Sequence, residues 1–280
     1  MRTTVYSLVI LAILLPPLVP AQHSGHSTKT YLGFDRNDYP GDNALGTLRK
    51  TFAFSGYWLN NPPGENTNSW TGKRRKLERS GFGFLVLFNG RSYAQIQTGD
   101  AKELGTSDGH AAVLAAKHEG FPKRTIIFLD QEEGGRLLPQ QRAYLHAWID
   151  AVNASGYRAG VYCSGVPFTE GNGTRVITAV DIKSNAGKRD ISFWVSNDNC
   201  GPSRGCVTVK QALPAASGVP FADIWQFAQS PRRKEMTANC AKTYSSDGEC
   251  YAPGFSAQKR LHVDLNTARS PDPSNGRGGR

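Results

Sequence analysis

The sequence predicts an α/β fold closed into an eight-stranded (β/α)8 TIM-type barrel, somewhat irregular in its last third. Three observations predict it. Eight strand-like runs recur along the 280-residue chain, separated mostly by helical or loop segments. Several of these runs are apolar on both faces, the pattern of strands covered on both sides in a parallel sheet. The length suits one barrel of about 250 residues once a leader is set aside. No Gly-x-Gly-x-x-Gly follows the first run and no phosphate loop occurs, which weighs against an open, nucleotide-binding sheet.

The elements follow in order. "TYLGFD" at 30–35 is the first strand, and "PGDNALGTLRK" after it is a helix opened by Asp42. "FAFSGYWL" at 52–59 is the second strand, followed by the helix "KRRKLER". "FGFLVLFNG" at 82–90 is the third, and the Ala-rich "DGHAAVLAAKHEG" that follows is a helix closed by Gly120. "TIIFLD" at 125–130 is the fourth. The next helix is the clearest, because Leu145, Trp148, Ile149 and Val152 fall on one stripe and Gly156 ends it. "RAGVYCSG", "DISFWVSN", "ADIWQFAQ" and "LHVDLN" supply strands five to eight, with a helix near "TRVITAVDIK" between the first two. No helix is predicted from 200 to 220.

The chain divides into a secretory signal peptide over 1–21, a polar linker over 22–29, the barrel over 30–268 and a disordered tail over 269–280. The leader has a basic start at Arg2, an apolar stretch from Val5 to Leu15 too short to span a bilayer comfortably, and a Val19-Pro20-Ala21 end. The protein is thus expected to be exported. A net charge of +10 fits an anionic cell-wall surface as partner. The basic residues are dispersed, so nucleic acid is not expected, and a monomer is. Five cysteines fit an oxidising compartment. Cys200 with Cys206 and Cys240 with Cys250 each bracket a short polar loop and are paired locally here, leaving Cys163 as a buried thiol. Their spacing matches no zinc framework.

In such a barrel, reactive groups sit at the C-terminal strand ends. Asp35 ends the first strand, Asn89 the third, and Asp130 with Glu132 the fourth. Tyr162 lies late in the fifth, Trp194 in the sixth, Gln226 in the seventh and Asp264 in the eighth. Closure would bring Asp35 and Asp264 together. A strand end meeting water explains any one of these groups, but the aggregate poorly. Asp130 and Glu132, two apart, share one face of an extended strand at roughly 6 to 7 Å. Two acids at that range suit glycoside hydrolysis, one protonating the leaving oxygen and the other stabilising or attacking the anomeric carbon. Crowding raises the pKa of at least one of them, as a general acid requires. Tyr57, Trp58, Tyr162, Trp194 and Trp225, at or near strand ends, could stack on sugar rings, although strand aromatics ordinarily belong to the core.

"YLGFDRNDYPG", "IIFLDQEEGG", "GYRAGVYCSG", "FWVSND", "DIWQFAQ" and "LHVDLN", in that order, resemble the glycoside-hydrolase-like barrels of a domain-of-unknown-function group. That group is similar to the family 25 lysozymes, the muramidases. The resemblance implies Glu132 as the acid and Asp130 as its carboxylate partner. It implies Asp35 and Asp264 as cleft-lining acids and Tyr162 as a group near the anomeric centre. It also implies hydrolysis of β-1,4 bonds beside N-acetylmuramic acid in peptidoglycan. The expected catalytic set is therefore Glu132, Asp130, Asp35 and Asp264, with Tyr162, Trp194, Gln226, Tyr57 and Asn89 binding substrate. No cofactor and no metal are expected. The cysteine-bracketed loops after strands six and seven depart from the lysozyme pattern and would reshape the groove.

Two other readings stay open at this level. One is a barrel that grips wall glycans without cutting them. The other is a hydrolase with a metal held by Asp35, Asp130 and Asp264; oxygen ligands suit a hard cation, but no His-Glu-x-x-His spacing occurs. Serine or cysteine chemistry lacks its Gly-x-Ser-x-Gly elbow.

Overall fold

A computed structural model of the chain describes Met1, residues 29–209 and residues 212–277. The expected signal peptide and nearly all of the expected linker fall outside these residues. In chain order the elements are β1 (Tyr31–Asp35), α1 (Leu45–Leu48), β2 (Phe54–Trp58), α2 (Arg74–Arg79), β3 (Gly83–Asn89), α3 (Tyr93–Ile96) and α4 (Ala101–His118). Then come β4 (Ile126–Asp130), α5 (Pro139–Ala154), β5 (Arg158–Ser164), the hairpin β6 (Phe168–Thr169) and β7 (Arg175–Val176), and α6 (Thr178–Asn185). β8 (Ser192–Ser196), β9 (Ile224–Ala228), α7 (Lys234–Thr237) and β10 (Asp264–Ala268) complete the fold.

Eight strands close into a barrel in the order β1-β10-β9-β8-β5-β4-β3-β2. Seven run parallel, while β10 is antiparallel to both β1 and β9. The closed eight-stranded barrel with an irregular last third is as the sequence predicts; the reversed direction of the last strand is the one departure from an all-parallel order. The reversal matters for the chemistry. Asp264 begins β10 rather than ending it, and because the strand runs backwards that beginning lies at the rim where Asp35 ends β1; the two are ladder partners.

Alternation along each strand divides the side chains between the interior and the helical shell. Glycines in the interior face make room for large neighbours. A Cβ on Gly33 would come 2.1 Å from the Phe54 ring, one on Gly56 would come 2.7 Å from Asp35 Cβ, and one on Gly160 would meet the Phe128 ring at 2.5 Å. Tyr57 faces the other way, packed edge-on against Trp70, Phe84 and Phe121.

The outer helices have local causes. Asp100 caps α4 by accepting from the backbone N–H groups of Lys102 and Glu103, so α4 begins earlier than the expected start at Asp108. Pro139 opens α5, and Leu145, Trp148, Ile149 and Val152 are fully buried along its stripe. Each such side chain contributes roughly 1.5–3 kcal/mol by leaving water. Gly105 and Gly109 let α4 approach α5 closely, since a Cβ on Gly105 would sit 2.2 Å from the Tyr144 carbonyl oxygen.

Besides the direction of β10, two expectations fail in the last third. The disulfides are Cys200–Cys240 and Cys206–Cys250, which join the loop after β8 to the segment after β9 instead of closing each loop on itself. Folding brings the two loops side by side, so cross-pairing satisfies the geometry. Cys163 is a buried free thiol. The second failure is the tail. Residues 269–277 pack beneath the barrel instead of lying disordered. Ser274 is fully buried and bridges two strands: its N–H donates to Phe84 O at 2.9 Å and its carbonyl accepts from Ile126 N at 2.8 Å. Asp272 accepts from the N–H groups of Phe84, Gly276 and Arg277 at 2.8, 3.1 and 3.0 Å. These fixed partners outweigh the disorder-prone composition.

Asp272→Ala leaves those three donors without their acceptor and should lower stability by about 2–3 kcal/mol. In urea this would read as a lower midpoint at unchanged slope. A change below about 0.5 kcal/mol would mean that the segment contributes nothing to the barrel.

Candidate active site

Ladder register builds the site. Asn89 pairs with Asp130, Asp130 with Tyr162, and Tyr162 with Trp194, so the four lie in one tier around the rim. Gln226 pairs with Ser196 on one side and Asn266 on the other, and a bulge between Leu265 and Asn266 adjusts the register there. Asp35, Asp130, Glu132 and Asp264, distant in sequence, line one cavity of about 120 Å³ together with Tyr162, Trp194 and Gln226. Trp58, Asn37 and Gln229 share it.

Hydrogen bonds fix the polar groups of the cavity without ambiguity. The Trp194 indole can only donate, and it donates to Asn266 Oδ1 at 2.8 Å. The Asn266 amide is thereby oriented so that Nδ2 donates to Asp35 Oδ1 at 2.6 Å. The Tyr162 hydroxyl donates to Gln226 Oε1 at 2.7 Å, turning Gln226 Nε2 toward both acids, 3.2 Å from Asp35 Oδ1 and 3.2 Å from Asp264 Oδ2. Ser230 N–H donates to Asp264 Oδ1 at 2.6 Å, and Gln229 Nε2 donates to the Tyr162 hydroxyl at 3.1 Å. Asp35 and Asp264 are thus tied into the protein. Asp130 differs: its Oδ1 is buried with no partner among the described residues. Glu132 stands at the mouth, exposed.

Burial governs the titration of all four acids. It raises Asp35 from 3.8 to about 6, against the lowering effect of the Asn266 and Gln226 amides. Asp130 is pushed well above the usual carboxylate range by burial first, then by Glu132 and Asp35. Asp264 is pushed well up by burial and by Asp35, in spite of the Ser230 N–H. Glu132 is raised by loss of water around it, so it holds its proton to higher pH than an ordinary glutamate.

The small cavity opens into a wider groove. Glu132 also lines a cavity of about 310 Å³ with Tyr162, Phe168, Gln229, Arg233 and Met236. On its other side it lines one of about 400 Å³ with Asn89, Arg91, Gln95 and Asp130. The groove therefore continues in both directions past Glu132.

Of the residues singled out in the sequence, Tyr57 does not reach the groove. Its hydroxyl instead donates to Glu119 Oε2 at 2.5 Å in the outer shell. Trp58, its neighbour on the interior face, lines the cavity in its place. Trp225 also points outward, with Nε1 donating to Asn197 O at 2.9 Å. Asn89 sits at the groove wall, its Nδ2 donating to Asn61 O. Glu133 lines the Asn89 cavity together with Glu132, and it accepts from Tyr93 N–H and from the Gln141 amide, which anchors the rim. Sequence reasoning missed Asn266, Gln229, Arg233 and the exposed Phe168. Asn266 had a signal, since it lies two residues from Asp264 in "VDLN" and so shares its face. Phe168, on a short hairpin, had none. Among the described residues, no group of three or more His, Cys, Asp or Glu side chains is disposed to hold a metal ion, and no helix is long and apolar enough to cross a membrane.

Residues 56–234 match the family model described as Rv2525c-like, glycoside hydrolase-like domain. The match spans Asp130 and Glu132 and stops short of Asp35 and Asp264. Among solved structures, an uncharacterized protein of B. stearothermophilus aligns with a TM-score of 0.50 at 18% identity, over 85% of this chain and 95% of that one. The Tat-secreted protein Rv2525c of Mycobacterium tuberculosis, in complex with L-tartrate, aligns with a TM-score of 0.50 at 15% identity, over 88% and 97%. The bacterial lysozyme of Streptomyces coelicolor aligns with a TM-score of 0.49 at 13% identity, over 90% and 100%. At such identities the first two likenesses concern the fold alone. No curated protein matches the sequence.

The pKa of Asp35 carries a stability consequence. An acid whose pKa is higher folded than unfolded takes up a proton on folding. Its stabilising effect is complete below the unfolded value near 4 and is lost as pH rises through about 6. The melting temperature should therefore fall between about pH 4 and 6, and Asp35→Asn should flatten that slope. Identical pH profiles for the two proteins would contradict the assignment.

Proposed function

Because this chain belongs to the Rv2525c-like, glycoside hydrolase-like domain family, we propose that it is an exported, carboxylate-dependent hydrolase of peptidoglycan or a related envelope polysaccharide. The observation that carries this reading is the position of Glu132. It is an exposed acid with a raised pKa, at the midpoint of a groove open on both sides, beside the buried and unpartnered Oδ1 of Asp130. A groove that passes the acid in both directions suits a polymer bound across the cleaved bond. Export is supported by the leader-like start of the sequence and by the two disulfides.

In the proposed reaction Glu132 gives its proton to the glycosidic oxygen as the C–O bond breaks. Positive charge then develops on the anomeric carbon. Asp130 faces that charge with an oxygen committed to no protein donor, and attraction to it favours the ionised carboxylate. Water adds to the anomeric carbon and its proton returns to Glu132. Asp35 and Asp264 act at one remove. Through Gln226 they hold the Tyr162 hydroxyl in place, and Trp194 is fixed by Asn266. Trp58 and Phe168 supply flat apolar faces for sugar rings.

Glu132→Gln should reduce the release of soluble fragments from purified peptidoglycan by roughly a hundred- to ten-thousand-fold. Folding should be unaffected, because Glu132 is exposed at the mouth of the groove. Mass analysis of the fragments would identify the bond cleaved. Equal release by both proteins would end the assignment of the acid, and release by neither would leave a glycan-binding barrel as the reading.

Activity should also persist in a chelator, since the steps above use only side chains of this chain. Complete and metal-reversible loss would favour the metal-dependent alternative.

A further inference from the structure

On each side of Glu132 the groove contains one arginine, and the two are held in the same manner. In the cavity shared with Asn89, Arg91 Nε and Nη2 grip Asp108 at 2.6 and 2.8 Å. Asp108 is fixed in turn by the Tyr144 hydroxyl at 2.8 Å. In the cavity shared with Tyr162, Arg233 uses Nε and Nη2 in the same way on Asp198, which is fully buried. The segment carrying Arg233 is tied down close by through Cys200–Cys240.

A guanidinium has five N–H groups in a planar fork. The buttressing aspartate takes two of them along one edge. That leaves Nη1 and the second N–H of Nη2, which lie parallel on the end of the fork and match the two oxygens of a carboxylate. Neither Nη1 has a protein partner among the described residues, and neither is a buried orphan. Each arginine is thus rigidly placed, keeps its charge and has an unspent edge at a wall of the groove. Arginines needed only for folding would not have to line the groove on both sides of the acid. A neutral glycan would gain little from two pre-oriented cations, whereas a chain bearing carboxylates would meet one on each side. Asp108 and Asp198 balance the charge of the two arginines, so what the groove offers on each side is an oriented pair of N–H donors, set on the Arg91 side beside Asp130, Glu132 and Glu133.

We infer that Arg91 and Arg233 are specificity-determining residues that select a glycan carrying carboxylate substituents on both sides of the bond presented to Glu132. The inference rests on the proposed glycan-binding function of the groove and goes beyond it by naming the charge of the substrate. Its test uses the full chain with Glu132→Gln, so that binding is read without turnover, and purified peptidoglycan as the probe. Sedimentation with the polymer should show affinity falling about tenfold for Arg91→Gln and likewise for Arg233→Gln, in line with the loss of one charge-assisted pair. Arg→Lys at either site, which keeps the charge but not the parallel edge, should recover only part of it. Peptidoglycan with its carboxyl groups amidated should bind the unsubstituted groove as weakly as the doubly substituted one, and the substitutions should then have no further effect. Equal binding to amidated and untreated polymer would overturn the inference. That arm needs no altered arginine, so equal binding overturns the inference even where a variant fails to fold; a drop supports it only where the arginine substitutions abolish the difference, because the net charge of +10 also draws the protein to an anionic polymer. Fragment release by the native protein from both polymers keeps the two readings apart. Equal cleavage of both would leave the hydrolase standing and remove the selectivity, while carboxylate-dependent binding without cleavage would do the reverse.

Discussion

A carboxyl group withdrawn from water must either lose its charge or be met by fixed donors. The upper tier of this barrel is organised by that demand. Asp35 and Asp264 are ladder partners, and a single amide, Gln226, donates to both. The orientation of that amide is dictated by the Tyr162 hydroxyl, and that of Asn266 by the Trp194 indole. Removing any one of these groups would leave a buried polar atom facing nothing, so the tier is a single polar unit. Asp130 is the exception, as its Oδ1 has no protein donor.

Much of this was legible in the sequence, and the parts that were not share a cause. Eight apolar runs ending in polar residues indicate strands that deliver side chains to one rim, and the four acids do converge there. The direction of the eighth strand was not legible, because a period of two reads the same both ways along "VDLN". Asp264 reached the rim by the opposite route to the one expected. Tyr57 and Trp58 show a related ambiguity. Adjacent residues face opposite sides of a strand, and only the neighbouring Gly56, which must lie against Asp35, indicates which is interior. The cysteine pairing depended on two loops meeting in space, and sequence distance carries no information about that. The tail misled through composition: Pro, Ser and Gly are common in disorder, yet one aspartate and one serine placed at a sheet end supply enough fixed partners to order it.

The irregular last third is also where the barrel is most specialised. The long excursions after β8 and β9 replace helices that a regular barrel would have there. The two disulfides fasten one excursion to the other, so that a region with little regular secondary structure still presents a firm wall. Loops of this kind carry specificity on a common scaffold. Here the wall holds Arg233, and the buried Asp198 behind it comes from the other excursion. The loop crosslinks and the charge pair thus join the same two segments.

The reversed β10 also sets which way the molecule faces. β1 starts at the lower face and rises, while β10 starts at the rim and descends, so the chain enters and leaves the barrel on the side opposite the groove. The first and last described segments of the barrel thus meet at the base, where Arg277 donates to Phe82 O, and the rim is left to the loops that follow the strands.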